Sequence, residues 1–263
     1  MMISRLFISS LALAATLLGC GTLLAQETAS PKNTDLTTAT TALIKKAIEG
    51  DASAQWRLGF MYANEIGVVK DEVEAVKWYR KGADQGDAMA QLFLGRMYEN
   101  GNGVVKDEVE AVKWYRKAAD QGNARAQVNL GLRSSNGNGV VKDEVEAMKW
   151  YRKAADQGDT RAQGFLGLRY ENGNGVVKDE VEAVKWYRKA ADQGDARAQV
   201  FLGYMYENGK GTVKDEVTAY KWYLLAGAQG EEFAKEKIPL IEQGLAATQR
   251  LDGQKLAGEF KKK

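Results

Sequence analysis

The sequence of 263 residues lacks histidine altogether and contains a single cysteine, Cys20. Histidine is the usual general base near neutral pH and the commonest metal ligand. Its absence excludes Ser-His-Asp and Cys-His catalytic sites and histidine-based zinc sites. One cysteine cannot form an internal disulfide. From these absences we expect a protein that is not an enzyme, has no catalytic or metal-binding residues and uses no cofactor.

A strong excess of either charge is also missing, since 37 lysines and arginines nearly balance 35 aspartates and glutamates. The resulting net charge of +2 gives no broad basic field that could hold a nucleic-acid backbone or an anionic membrane. We therefore expect no nucleic-acid partner, and contact with a membrane only through a signal peptide or a lipid anchor.

Residues 1–25 have the features of a signal peptide. Their apolar run, residues 6–18, is shorter than the roughly 20 residues that span a bilayer, although an uncleaved membrane anchor is the alternative. Residues 17–20 (LLGC) resemble a bacterial lipobox, which makes Cys20 a candidate lipidation site, and cleavage after Ala25 is the competing route. We predict an exported protein, either periplasmic or anchored to the outer membrane as a lipoprotein, with secretion as a further option.

The centre of the chain repeats itself. The segment NGNGVVKDEVEAVKWYRKAADQG occurs at residues 100–122 and, unchanged, at residues 172–194. The same pattern divides residues 51–230 into five blocks of 36 residues: 51–86, 87–122, 123–158, 159–194 and 195–230. Each block contains two helical patterns around a glycine-rich loop, and two helices alone cannot bury their apolar stripes. The sequence therefore predicts an all-α solenoid of stacked helix pairs.

The first helix of a block, from about Ala52 to Asn64, carries an apolar stripe that recurs every four residues. Inside it stands Gly59, which recurs in every block and costs a helix roughly 1 kcal/mol against alanine. We therefore expect a neighbouring helix to approach closely at this glycine.

The second helix of a block has Asp71 as its predicted N-cap and Gly86 as its predicted C-cap. Its buried stripe contains two adjacent aromatic residues, Trp78 and Tyr79, which widen the stripe by one helical step. We expect this stripe to contact both the partner helix and the next block.

Both ends of the array are predicted to be capped. Residues 26–37 are polar and without periodicity, which indicates a tether, and residues 38–50 resemble a lone second helix that caps the first block. Residues 231–263 begin like a first helix and become charged and irregular around Pro239. We predict a C-terminal capping helix followed by a basic tail.

Two further motifs indicate structure rather than chemistry. The loop GNGVVKD lacks Ser or Thr after Lys106 and follows a helix, so it differs from a phosphate-binding loop. The carboxylates of DEVE lie where a helix N-terminus favours negative charge, which argues against a cation site.

The combined pattern AxAQxxLGxxYxxGxGVxxDxxxAxxWYxKAAxQG, nearly complete at residues 88–122 and 196–223, resembles the Sel-one-like repeat (SLR), a relative of the tetratricopeptide repeat. The resemblance covers residues 51–230. Departures occur at residues 65–67 in the loop of the first block, at Ser134 in place of a tyrosine, and at the end of the fifth block. The resemblance implies antiparallel helix pairs in a right-handed superhelix and a role in holding other macromolecules.

First helices differ between blocks, whereas second helices are nearly identical. Four positions on each first helix, 53, 56, 60 and 63 in the first block, point away from the apolar stripe. We call these positions the first-helix row, and the resemblance implies that they line a concave groove. Leu92 and Val128 belong to the row, and its candidate binding residues are Trp56, Phe60, Met89, Arg96, Arg125, Leu132, Arg161, Leu168, Arg197 and Tyr204.

Arg125, Arg161 and Arg197 recur once per block in this row, which suits an extended ligand with regularly spaced acceptors. The alternative is that the apolar members of the row pack between helices and that the arginines are solvated. The sequence predicts a non-catalytic protein-protein interaction scaffold of the bacterial cell envelope that binds a peptide or protein in the groove.

Other roles remain open on the sequence. The protein could instead modulate peptidoglycan enzymes, associate with peptidoglycan or contact a host cell, as envelope SLR proteins do. A protein that binds or hydrolyses β-lactams is a further alternative, although the repeats here contain neither a cysteine nor a nucleophile beside a base.

Overall fold

The computed structural model describes residues 31–260, which form thirteen α-helices and, within that range, no β-strand. The chain divides into residues 1–40 and residues 41–263, and the helices from the second onward lie in the latter. The helices are α1 (Pro31–Ile48), α2 (Ala52–Asn64), α3 (Glu72–Asp84), α4 (Ala88–Asn100), α5 (Glu108–Asp120), α6 (Ala124–Asn136), α7 (Glu144–Asp156), α8 (Thr160–Asn172), α9 (Glu180–Asp192), α10 (Ala196–Asn208), α11 (Glu216–Ala228), α12 (Glu232–Gly244) and α13 (Ala247–Gly258).

Consecutive helices pack in pairs. The pairs α2 with α3, α4 with α5, α6 with α7, α8 with α9 and α10 with α11 each make one repeat, and the second helix of each pair packs on the first helix of the next. The predicted all-α solenoid of paired helices is confirmed.

Aspartate caps set the helix starts. The Asp51 carboxylate accepts a hydrogen bond from the backbone amide of Ala54 at 2.6 Å, and that of Asp71 accepts from Glu74 at 2.9 Å. The predicted N-cap at Asp71 is confirmed, because these bonds satisfy amides that the helix leaves free. At the C-terminus of α3 the cap is Gln85, and Gly86 follows it with a φ of +91°. The glycine thus stands one residue later than predicted, where a left-handed turn leaves the helix.

A tyrosine ring covers the glycine inside each first helix. A Cβ atom added to Gly167 would lie 2.5 Å from the ring of Tyr187, on the second helix of the same repeat. The same approach occurs at the four equivalent glycines, Gly59, Gly95, Gly131 and Gly203, at 2.6–2.8 Å. The expected close approach is confirmed, and the glycine is needed because the aromatic ring occupies the space of a side chain.

The aromatic pair of each second helix divides its contacts between repeats. Tyr115 packs in the core beside Ala126 and Leu130 of the following first helix, so the expected contact with the next block is confirmed. Trp150, however, lies in the same core and therefore reaches back to the repeat before its own. Trp114, Trp186 and Trp222 likewise lie in the core of the repeat before their own.

Helix α1 begins earlier than the predicted cap. Residues 31–37 were expected to belong to the polar tether, yet the helix starts at Pro31 and runs to Ile48. Proline suits the first position of a helix, since its missing amide hydrogen would have no partner there. The predicted signal peptide, Cys20 and residues 26–30 lie outside the described residues.

The C-terminal segment is more regular than predicted. Helix α12 continues through Pro239, and residues 247–258 form α13 instead of an irregular tail. Helix α13 packs on α11, where a Cβ at Gly253 would lie 2.6 Å from the ring of Tyr220. This contact resembles the glycine-tyrosine contacts inside the repeats, although it uses a different tyrosine of α11. In residues 31–260 no helix is both long and apolar enough to cross a membrane.

Candidate functional site

The arginines of the first-helix row are open to solvent. Arg96, Arg125, Arg161 and Arg197 are all exposed, one on each first helix from α4 to α10. Two apolar members behave differently, since Leu92 and Val128 are 2 % and 0 % exposed and belong to the core. For these two residues the alternative of packing between helices is correct, because their positions face the neighbouring repeat.

The structure brings three of these arginines together around one cavity of about 610 Å³. We call it the arginine cavity. The first helices of three successive repeats form it, with Arg96 on α4, Arg125 on α6 and Arg161 on α8. Arg197, one repeat further on, does not line it. The lining residues are Leu92, Phe93, Arg96, Glu99, Asn100, Arg125, Asn129, Asp159, Thr160 and Arg161.

The two carboxylates at the arginine cavity are already engaged by the protein. Glu99 accepts hydrogen bonds from the Arg133 guanidinium and the Tyr115 hydroxyl. Asp159 caps α8 by accepting from the backbone amide of Ala162 at 3.0 Å. Its second oxygen lies 3.7 Å from Arg161. Both acids therefore serve local structure first and offset the arginines only in part.

Arg96 and Arg125 have no such compensation. In the part of the chain that the structure describes, neither guanidinium lies within 4.0 Å of a carboxylate. The guanidinium carbon of Arg96 lies 5.9 Å from the centre of the Phe93 ring. The cavity thus presents unpaired positive charge beside an aromatic wall.

Burial and the neighbouring carboxylate of Glu99 raise the pKa of Tyr115 well above its usual value near 10. The phenol therefore stays protonated and continues to donate to Glu99 under ordinary conditions. This bond holds Glu99 in place at the edge of the cavity.

Phe93 joins the arginine cavity to the aromatic residues of the first repeat. Its ring stacks on Tyr79 with centres 5.3 Å apart and on Trp56 at 5.9 Å, and it lies 5.5 Å from Phe60. The sequence reasoning did not include Phe93, because it stands one position beyond the first-helix row. A signal was present, since Phe165 and Phe201 occupy the same position in their repeats.

The remaining candidate residues of the row lie apart from the cavity. Met89 accepts a hydrogen bond from the Asn123 side chain at 3.4 Å, and the Tyr204 hydroxyl accepts from Lys210 at 3.0 Å. Leu132 packs against the core of its own repeat, and Leu168 is half-buried. A binding role for these residues stays a prediction.

A series of hydrogen-bonded glutamines, half of them buried, holds the first helices in register, and the sequence reasoning missed it. The Gln91 amide donates to the carbonyl of Ala83 in the preceding repeat at 3.2 Å, and Gln121 donates to Gln91 at 2.7 Å. The same two bonds recur in the other repeats. The glutamines recur at fixed positions in AxAQ and AxQG, which was the signal available. They fix the position of each first-helix row residue relative to the next.

Residues 31–260 contain no group of three or more acidic or cysteine side chains that could hold a metal ion. The polar groups that converge are those of the arginine cavity, and guanidinium groups bind anions.

A family model of the Sel1 repeat matches five consecutive stretches of the chain: 52–87, 88–123, 124–159, 160–195 and 196–231. These begin one residue later than the blocks counted from the sequence. No curated protein matches the chain.

Solved structures with this fold are similar to the chain. A protective antigen of uropathogenic Escherichia coli with an SLR fold is 38% identical, with a TM-score of 0.77 over 85% of this chain and 49% of that chain. A Sel1 repeat protein from Oxalobacter formigenes is 40% identical, with a TM-score of 0.71 over 78% of this chain and 87% of that one. The chain thus spans about half the length of the Escherichia coli protein.

Sel1-repeat proteins are generally scaffolds for protein interactions, and the fold is typically non-catalytic. The stretches that the family model matches are contiguous and cover residues 52–231. They include every helix that contributes to the first-helix row. The chain belongs to the Sel1 repeat family.

Proposed function

We propose that this protein is a non-catalytic interaction scaffold of the bacterial cell envelope, which binds a protein or peptide along the first-helix row. The observation that supports the proposal is the arginine cavity, which brings exposed arginines of three successive repeats to one place on the surface. The tryptophans and tyrosines of the second helices, by contrast, are buried in contacts between helices. An extended ligand could contact several repeats at once, as in groove recognition generally.

The envelope location rests on the leader and on one relative. Residues 1–25 have the features of a signal peptide, and Cys20 is the candidate attachment site for lipid. The similar Escherichia coli protein is a protective antigen, which agrees with a location outside the cytoplasm. Fractionation of cells that express the full chain, with metabolic labelling by a fatty acid, tests this part. Label in the membrane fraction that disappears in Cys20→Ser supports the lipoprotein, and recovery of the protein in the cytoplasm would exclude an envelope role.

The binding role is tested by affinity capture from solubilised envelope extract with three proteins made from the full-length chain. The first is the parent. The second replaces the exposed arginines Arg96, Arg125, Arg161 and Arg197 with glutamine. The third replaces four equally repeated and exposed lysines of the second helices, Lys77, Lys113, Lys149 and Lys185, with glutamine.

A partner held by the parent and by the lysine variant, but lost by the arginine variant, is the expected result. Both variants lose the same formal charge, so the comparison separates the first-helix row from bulk electrostatics. Equal capture by all three proteins would move the binding site to another face of the solenoid.

A further inference from the structure

We infer that the arginine cavity binds a carboxylate of an acidic peptide segment, while an apolar side chain of the same segment rests against Phe93. This inference rests on the proposed function, since it names the chemistry of the ligand at the same surface. It is carried by three observations: the convergence of three guanidinium groups, the engagement of the cavity's own acids, and the aromatic wall.

The guanidinium groups come from three different helices that the repeat stacking holds in place. Arg125 and Arg161 stand at the same row position of successive repeats, Arg96 stands at a later row position of the repeat before them, and the glutamine series holds the helices that carry them in register. Each guanidinium offers five N–H donors in a planar fork that matches a carboxylate.

The cavity's own acids leave this positive charge available. Glu99 is held by Arg133 and Tyr115, and Asp159 caps its helix. Arg96 and Arg125 lack a carboxylate within 4.0 Å in the described part of the chain. A carboxylate that binds Arg96 and Arg125 would therefore gain charge-assisted hydrogen bonds without displacing an existing ion pair, whereas Arg161 already lies 3.7 Å from Asp159.

The aromatic wall indicates which side chain of the ligand accompanies the carboxylate. Phe93 stands one helical turn from Arg96, about 4.5 Å along the helix axis. In an extended peptide the side chains of residues i and i+2 share a face and lie about 7 Å apart. We therefore expect a ligand in which Asp or Glu stands two positions from an aromatic or aliphatic residue. The half-buried rings of Trp56 and Phe60 would extend the apolar contact.

Selection from displayed random peptides tests the inference without a known partner. The peptides are fused at their C-termini, so they offer side-chain carboxylates only, and the bait is the protein made from the full-length chain. We expect the parent to enrich Asp or Glu two positions from an apolar residue. The variant R96Q/R125Q/R161Q should lose this enrichment, whereas K113Q/K149Q/K185Q, with the same change in charge, should keep it.

Binding of the enriched peptide in solution gives the quantitative form of the test. By fluorescence polarisation, replacing its acids with amides should weaken binding about tenfold or more, as should the triple arginine variant. The peptide with amides in place of its acids is tested against the unchanged protein, so this comparison remains valid even if the arginine variant folds poorly. A peptide with a free C-terminus that binds tenfold tighter than its amidated form would assign the carboxylate to a chain end.

The outcomes separate this inference from the proposed function. Selection of peptides without acids, whose binding is lost in W56A/F60A, would overturn the carboxylate site and leave the groove in place. Equal binding of the acidic and amide peptides would also overturn it. If the parent selects no peptide above the bare support, both the carboxylate site and peptide binding by the groove are refuted.

Discussion

The first and second helices of the repeats differ in how much their sequences vary from one repeat to the next. The second helices α5 and α9 have the same sequence, and their alanines, tryptophan and tyrosine are almost fully buried. The first helices α4 and α8 share the buried alanine, glutamine, leucine and glycine, yet differ at five other positions, three of which belong to the first-helix row. Since a second helix contacts both its partner and the neighbouring repeats, a change in it disturbs several contacts at once. The first-helix row touches fewer neighbours and is the part of the repeat that can vary.

The third repeat shows what happens when a shared position of the first helix does change. In the second, fourth and fifth repeats a glutamate accepts a hydrogen bond from the hydroxyl of the buried tyrosine, as Glu171 does from Tyr187 at 2.8 Å. The third repeat has Ser135 at this position, and within residues 31–260 no carboxylate accepts a hydrogen bond from the Tyr151 hydroxyl. Arg169 donates to the Ser135 hydroxyl and to Glu144 instead. Burial raises the pKa of Tyr151 to about 12, so its hydroxyl also stays protonated.

The largest expected effect is the loss of an interface tryptophan. Trp186 is 2 % exposed and lies in the core of the preceding repeat, so Trp186→Ala should lower the free energy of unfolding by about 3–5 kcal/mol. The matched change on the first-helix row, Trp56→Ala, should cost less than half as much because Trp56 is only half-buried. Urea unfolding followed by circular dichroism measures both. Equal losses would mean that the two helices contribute alike to stacking.

The next largest effect compares two glycines on one helix. In Gly167→Ala the new methyl group would lie 2.5 Å from the Tyr187 ring, so we expect a loss of about 1–3 kcal/mol from overpacking. At Gly164, three residues earlier on α8, a Cβ atom meets nothing within 4 Å. Gly164→Ala should therefore stabilise the protein by about 0.5–1 kcal/mol through helix propensity alone.

Thermal unfolding of the two glycine variants should shift in opposite directions. A rise in the unfolding temperature of both variants would show that helix propensity, not the tyrosine ring, decides the effect at Gly167.

The sequence could predict the features that repeat within one helix or one block. The helix pairs, the cap at Asp71 and the close approach at Gly59 follow from patterns only a few residues long. The sequence reasoning missed partners that are distant in the sequence. Gln121 donates to Gln91, 30 residues earlier in the same repeat, and Trp150 lies with Leu92 in the core of the preceding repeat. Such contacts depend on how the helices pack on one another, which no local pattern specifies.

The same limit explains the candidate site. The periodic recurrence of Arg125, Arg161 and Arg197 in the first-helix row was visible in the sequence. Arg96 belongs to the same row but is not part of that periodic series. That Arg96, Arg125 and Arg161 line one cavity while Arg197 does not depends on how three repeats stack. The prediction for the C-terminal segment failed for a different reason. Helix α13 packs on α11 where Gly253 meets the Tyr220 ring, and no repeated sequence around Gly253 indicated this contact.

A smaller effect should come from restoring the missing acid of the third repeat. Glu99 accepts from Tyr115 and Arg133, and Ser135 stands in the same relation to Tyr151 and Arg169. Ser135→Glu should therefore recreate both bonds and raise the free energy of unfolding by about 1–2 kcal/mol. Chemical denaturation checks the gain, with the same substitution in a Tyr151→Phe background as control. A gain of equal size in that background would show that the tyrosine hydroxyl takes no part.

The smallest effect on stability should come from the residues with the largest expected effect on binding. Arg125 is exposed and lacks a carboxylate partner within 4.0 Å in the described residues, so Arg125→Gln should change the free energy of unfolding by no more than about 0.5 kcal/mol. Removing one of three clustered positive charges relieves repulsion, which could even raise stability slightly. Urea denaturation of the parent and of Arg125→Gln measures the difference in the free energy of unfolding. A loss comparable to that of the glycine variant would mean that Arg125 supports the stacking of repeats, and the division between a structural and a free helix face would fail at that position.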